Sequence, residues 1–209
     1  MNSKLFILFV LAAFVGLSGC SNKPATNANA NKSEIKRGVA PIADNEIAVI
    51  EMENSAAYGT IKIELYSNIA PEMVKRFKEL AREGVYDGTT FHRINKSVIQ
   101  GGDPNSRDED PTNDGMGGSD KPNVPAEFSD LRYDTGIVGA ARGNDPNSAN
   151  SQFFITLKRE GGFDNKYTIF GKVIEGMNNV MTISGVEPKE GERPIEPVKI
   201  KRITIQPKG

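Results

Sequence analysis

The 209-residue chain has no tryptophan, one cysteine and one histidine. Each scarcity excludes a class of protein. The lone Cys20 has no partner within the chain, so the fold does not rest on disulfides. One His and one Cys cannot supply the ligand set of a familiar zinc site, and no metal or cofactor is expected. His92 sits on strand-like sequence that turns it toward the core, and no Gly-x-Ser-x-Gly elbow is present. A nucleophilic hydrolase therefore fits poorly. Neither sign of charge prevails: 26 basic residues face 27 acidic ones, a net charge of −1. That balance gives no reason to expect nucleic acid or anionic lipid as a partner.

The N-terminus is patterned for export. Lys4 precedes an unbroken apolar run, Leu5 to Val15, which reads as a secretory signal. It is shorter than the roughly 20 apolar residues of a membrane-spanning helix. The Leu17-Ser18-Gly19-Cys20 ending resembles the lipobox of bacterial lipoproteins. An ordinary signal peptide cut beside Cys20 is the alternative. The resemblance implies that residues 1–19 are removed and that Cys20 is acylated, palmitate included. Cys20 would then anchor the chain to a bacterial membrane in the cell envelope. Ser21 stands where inner-membrane retention is associated with Asp, which points to the outer membrane, facing the periplasm, in a Gram-negative cell. Residues 20–45, rich in Asn, Ala, Ser and Lys without apolar periodicity, read as the acylated Cys and a flexible tether. Residues 46–209 have the size of one domain, and a monomer is expected.

Within that domain, short stretches of strand character fall at 46–53, 59–66, 90–94, 97–100, 135–141, 152–156, 167–174 and 198–205. Ile61, Ile63 and Leu65 alternate with Lys62 and Glu64, which gives one buried face. Two segments change period. Pro71 opens one in which Met73, Phe77, Leu80 and Ala81 recur at helical spacing up to Gly84. The second covers about Met177 to Ile183. Many short strands with two helices predict a mainly β fold, a closed antiparallel eight-stranded β-barrel capped by two α-helices. Long turn-rich loops at 103–126 and 142–150 suit a binding surface.

The most informative stretch is Phe91-His92-Arg93-Ile94-Asn95-Lys96-Ser97-Val98-Ile99-Gln100-Gly101-Gly102-Asp103. It places a cation and an amide on alternating sequence before a sharp turn. With Ser151-Gln152-Phe153-Phe154-Ile155-Thr156 supplying aromatic surface, such side chains can hold an extended peptide without reacting with it. These two segments, with Gly115-Met116-Gly117-Gly118, Pro125-Ala126-Glu127-Phe128 and Phe170-Gly171-Lys172-Val173 in this order, resemble the cyclophilins, peptidyl-prolyl cis/trans isomerases, over nearly all of 46–206. The Ala141-Arg142 and Asp145-Pro146-Asn147-Ser148 run is similar to the bacterial branch. The resemblance implies a catalytic role for Arg93 and substrate-backbone binding by Gln100 and Ala141. It makes Val98 and Phe154 walls of a proline pocket, with Phe163 at the usual Leu and Tyr167 at a position held by His or Tyr. The implied partners are proline-containing segments of unfolded or exported proteins.

Two departures are visible. Only five residues, Asn95 to Ile99, separate the Phe-His-Arg-Ile motif from Gln100, where the family has six. The usual pocket Phe has no counterpart, Ser97 standing nearest, so a shallower pocket is expected. Gly162 occupies the place of the Trp found in many cyclosporin-sensitive members, which implies weak cyclosporin binding. A peptide-binding, chaperone-like module with little isomerase activity is the competing reading. His92 and Phe153 are expected to face the core, opposite Arg93 and Phe154. The acidic loop carrying Asp103, Asp108, Glu109, Asp110 and Asp114 lacks a calcium-loop register and reads as solvated.

Overall fold

Period-two alternation builds the sheet. In β2 (Thr60–Leu65) the side chains of Ile61, Ile63 and Leu65 are buried while Lys62 and Glu64 are only half-buried. Paired antiparallel with β1 (Glu46–Met52), they set Ile50 opposite Ile61 and Ala48 opposite Ile63. The computed structural model describes residues 34–187 and 192–209. The expected signal peptide, Cys20 and residues 21–33 of the expected tether lie outside them. The other strands are β3 (Arg93–Ile94), β4 (Val98–Gly101), β5 (Ile137–Ala140), β6 (Phe153–Thr156), β7 (Ile169–Glu175) and β8 (Ile200–Pro207).

All eight strands join one antiparallel sheet in the order β3-β4-β6-β5-β7-β2-β1-β8. The sheet curls as a half-barrel. The closed barrel expected from the sequence is not what the ladders form, because β3 is two residues long and does not pair with β8. The seam is bridged instead by residues 88–91, ahead of β3, meeting residues 198–200 at the start of β8. Gly88 N–H donates to Ile200 O at 2.9 Å, Ile200 N–H to Thr89 O at 2.7 Å and Phe91 N–H to Val198 O at 3.0 Å.

Among the described residues three α-helices decorate this sheet: the single turn α1 (Ser55–Tyr58), α2 (Pro71–Arg82) and α3 (Met177–Ser184). The α1 turn lies in a connection that reads as a plain turn in sequence. In α2 the buried stripe is Met73, Val74, Phe77, Leu80 and Ala81, the spacing of one helix face. Its ends are satisfied in different ways. Pro71 starts it, and the free N–H groups of Glu72 and Met73 donate to the Glu127 carboxylate at 3.2 and 3.0 Å. Thus the Glu of the Pro-Ala-Glu-Phe motif caps a helix more than fifty residues away, where its negative charge also suits the helix dipole. At the other end Gly84 adopts φ +70. Its N–H donates to Ala81 O and that of Val85 to Leu80 O, at 3.2 and 2.9 Å, which is the Schellman arrangement.

Alternation along the strands sorts apolar side chains into two clusters. Phe153 joins Phe77, Tyr86, Phe91 and Phe170 inside the curl, with ring centroids 5.2–6.2 Å apart. Phe154, the next residue, packs on the opposite face with Tyr66, Ile69, Val98, Tyr133, Ala141 and Ile169. This second, smaller cluster floors the site described below.

Residues 34–44, assigned by composition to the tether, lie along the domain as a strap. Lys36 exchanges backbone hydrogen bonds with Phe128 and Asp130, and its ammonium reaches Ile69 O at 2.7 Å. Gly38 N–H donates to the Asp130 carboxylate, and Asn68 brackets Ala40 and Ile42. Asp44 anchors the end, accepting from Ser67 N–H, Ser67 Oγ and Lys78 Nζ at 3.1, 2.7 and 2.6 Å. Hydrogen bonds rather than an apolar stripe hold the strap, which is why hydropathy missed it.

Burial alone would raise the Asp44 carboxyl, but the hydrogen bonds from Lys78 and Ser67 outweigh it and hold the group below the usual carboxylate range. As pH falls, the unfolded chain therefore takes up the proton first. The stabilisation is complete above the unfolded value of 3.8 and is lost as pH drops through the lower, folded one. Asp44→Ala is expected to cost about 1–3 kcal/mol at neutral pH, with the gap between variant and parent narrowing at a pH below 3.8. Urea unfolding at the two pH values measures it; coincident midpoints at pH 7 would mean the strap contributes no stability.

Candidate active site

Backbone register places the central side chains. Arg93 pairs with Gln100 across β3 and β4, Gln100 with Phe154 across β4 and β6, and Phe154 with Gly139 across β6 and β5. These four residues form one row across the sheet, so the cation, the amide and the ring share its outer face. Gly139 ends the row without a side chain for a reason. A Cβ there would lie 2.5 Å from Phe154 Cζ and 2.6 Å from Tyr133 Oη. Its absence lets Phe154 lie across β5 and stack on the fully buried Tyr133, centroids 5.6 Å apart.

Phe163 ends a short 3-10 turn (Gly161–Phe163) and meets Phe154 edge-on at 5.5 Å. Tyr167 contacts both rings, at 5.7 and 5.2 Å. Between these rings and the strands is a cavity of about 90 Å³ lined by Arg93, Val98, Gln100, Ala141, Arg142, Phe154, Phe163 and Tyr167. All seven site residues singled out in the domain sequence therefore converge on one pocket. Its volume is below the roughly 300–1,000 Å³ of small-molecule sites and suits a single side chain. An adjoining groove of about 300 Å³ shares Gln100, Ala141 and Arg142 and continues past Met116, Asn150 and Gln152. A side-chain socket opening into a longer groove is the shape an extended peptide requires.

Polar side chains across the socket are chained together. Arg93 Nη1 donates to Gln100 Oε1 at 3.2 Å, Gln100 Nε2 to Gln152 Oε1 at 2.9 Å, and Gln152 Nε2 to the carbonyls of Gly115 and Gly117 at 3.0 and 2.8 Å. Arg93 Nε donates to Glu192 Oε2 at 2.6 Å. Arg93 is about half exposed, so its charge remains available to a ligand. His92 is buried and faces the other way, beside Gly115. Burial holds its imidazole below the usual range, leaving it uncharged at neutral pH.

The shortened segment closes as a tight turn. Asn95 Oδ1 accepts from Ser97 N–H and Val98 N–H at 2.8 and 2.9 Å, and Asn95 N–H donates to Val98 O at 3.0 Å. Ser97 Oγ turns to Glu160 at 2.7 Å. The pocket wall on this side is thus the aliphatic Val98, with no aromatic ring from the turn. Across this turn Arg93 pairs directly with Gln100.

Three contributors were not legible as site residues. Tyr133 lies in a turn-rich segment with no motif around it. Arg142 belongs in sequence to a loop run, yet its guanidinium sits 4.5 Å over the Tyr167 ring, held by the carbonyls of Lys166 and Gly143. Glu192 carries no sequence signal at all. Of the expected sites outside the domain, Cys20 lies beyond the described residues. Among the described residues, no cluster of three or more metal-binding side chains occurs.

The family model described as cyclophilin type peptidyl-prolyl cis-trans isomerase/CLD matches residues 49–205. A probable peptidyl-prolyl cis-trans isomerase of Brucella suis is 40% identical over 153 residues, 71% of this chain and 78% of its own length. A peptidyl-prolyl cis-trans isomerase of Schizosaccharomyces pombe is 41% identical over 160 residues, covering 74% and 96%. The human peptidyl-prolyl cis-trans isomerase-like 1 is 40% identical over 155 residues, covering 72% and 88%. Among solved structures, a cyclophilin-type isomerase of Cryptosporidium parvum, determined in the presence of the dipeptide Ala-Pro, superimposes with a TM-score of 0.68. It is 32% identical and covers 78% of this chain and 99% of its own.

Proposed function

The chain belongs to the cyclophilin-type peptidyl-prolyl cis-trans isomerases, and from that premise we propose that it turns X-Pro bonds of exported proteins by non-covalent electrostatic catalysis with Arg93. The observation that carries this reading is the row Arg93, Gln100, Phe154 at the mouth of the small apolar socket. Rotation about the imide bond crosses a barrier of about 18–20 kcal/mol and needs no nucleophile. As the bond twists, resonance is lost and the lone pair localises on the prolyl nitrogen. A guanidinium donor aimed at that nitrogen is favourable in the twisted state and gains little in the planar one.

The remaining residues act as binding groups. Val98, Phe154, Phe163 and Tyr167 hold the proline ring, while Gln100 and the backbone at Ala141 hold the flanking peptide. The absent aromatic at the turn favours a binding-only module with weak catalysis. Against it, Arg93 and Gln100 stay in register across the shortened turn, so the shorter wall reduces affinity for the ring more than it disturbs the catalytic pair. The direct test is refolding of a protein limited by a prolyl bond. Catalytic amounts of the protein should abolish the slow phase, and a proline peptide should compete; an unchanged slow phase would overturn the reading.

The site of action proposed is the bacterial cell envelope, with Cys20 acylated and the domain held at the membrane, in a Gram-negative cell the outer membrane facing the periplasm. Support comes from the Leu-Ser-Gly-Cys sequence after the apolar run. Uncatalysed isomerisation takes tens to hundreds of seconds, which is slow enough to limit folding after export. Cys20→Ser is expected to move the protein from the membrane to the soluble fraction and abolish fatty-acid labelling, leaving isomerase activity intact. Unlabelled, soluble wild-type protein would refute the anchor.

A further inference from the structure

We infer that Glu192 is a positioning residue for Arg93, fixing the guanidinium so that it presents one nitrogen to the socket. The inference rests on the reading of Arg93 as the catalytic group. A free arginine side chain samples many rotamers, and its charge is of use only when aimed. Here the head group is gripped at two of its nitrogens. Glu192 Oε2 accepts from Nε at 2.6 Å and Gln100 Oε1 from Nη1 at 3.2 Å. Nη2 is left with no acceptor among the described residues. Glu192 is itself held, since the same Oε2 accepts from Asn95 Nδ2 at 2.9 Å. Asn95 is the residue whose side-chain oxygen closes the shortened turn, so turn, carboxylate and guanidinium are one connected unit.

The backbone supplies an independent observation. Glu192 adopts φ +68, and among the described residues Asn165 is the other non-glycine with positive φ. Such a conformation is uncommon for a residue with a Cβ and is kept only where the surroundings enforce it. Arg193 pairs with Asp114 at 2.9 Å and Ile195 N–H donates to Glu187 O at 3.1 Å, which ties down the chain just beyond Glu192. The ion pair is about half exposed on both partners. Exposed pairs contribute little to stability, so the effect of Glu192 is to be sought in the rate.

In a peptide isomerisation assay, Glu192→Ala should lower kcat about fivefold with KM within about twofold. Glu192→Gln, which keeps an acceptor for Nε, should recover most of the loss. Because Glu192 acts through Arg93, Glu192→Ala should cause no further loss in an Arg93→Ala background. In the wild-type protein the Arg93 Nε–Hε resonance should be sharp and slow to exchange. An unchanged or raised kcat in Glu192→Ala, an additive loss in the double variant, or a rapidly exchanging Hε would each overturn the inference. Should Arg93→Ala itself keep full activity, the catalytic reading of Arg93 falls. Should Arg93→Ala lose activity while Glu192→Ala does not, only the positioning role falls.

Discussion

Arg93→Ala is expected to lower kcat/KM for a proline peptide by about 10²–10³, the usual loss on removing one preorganised donor from a transition-state site, while peptide affinity stays within severalfold. The two effects separate because different side chains carry them. The socket walls are Val98, Phe154, Phe163 and Tyr167, which do not need Arg93 for their position, and the amide is Gln100, which keeps its bond to Gln152 when the one from Arg93 is lost. Phe154 is held by Tyr133 beneath it, and Gln100 by Gln152. Arg93→Lys should rescue little, since an ammonium cannot engage Gln100 and Glu192 and still offer a rigidly aimed donor. NMR exchange spectroscopy on a proline peptide gives rate and affinity in one experiment. A variant that turns over at the parental rate would remove electrostatic catalysis by Arg93 from consideration.

Phe154→Ala should act on both stability and binding. The ring is 4% exposed and touches Tyr133, Phe163 and Tyr167 at 5.6, 5.5 and 5.7 Å between centroids. Truncating such a phenylalanine costs about 3–5 kcal/mol, and the lower end is expected because the void opens into the socket, where water can enter. Affinity for the proline ring should fall together with stability. Phe154→Leu separates the two, keeping most of the buried volume while losing the flat face. Gly139→Ala approaches the same ring from below, since its added Cβ would collide with Cζ. Chemical denaturation with a parallel peptide titration measures both. Parental affinity in Phe154→Leu would show that the ring packs the cluster without contacting substrate.

Alternation explains why so much of the site could be read in advance. Phe153 and Phe154 are neighbours in sequence and part company at the sheet, one entering each cluster. The same rule sends Ile99 inward and Gln100 outward. Residues that the sheet ladder positions were therefore legible, and their family motif told which chemistry to expect. Glu192 was not, because it reaches Arg93 from 99 positions away, next to an Arg193–Asp114 ion pair that no local propensity announces. The strap failed for a related reason: Lys36, Asp44 and Asn68 form hydrogen bonds that leave no periodic trace. The expected barrel closure depended on a seam where backbone groups at 88–91 meet 198–200 without a ladder, and side-chain patterning is silent about that.

The strap also sets a working radius. Under the proposed lipid anchor at Cys20, docking from Lys36 onward leaves sixteen peptide links before the first contact with the domain, a leash of at most about 60 Å when fully drawn out. Had the leash run to the start of β1 it could have reached about 90 Å. By laying residues 34–44 along its own flank, the domain shortens the reach that the proposed anchor would otherwise allow it.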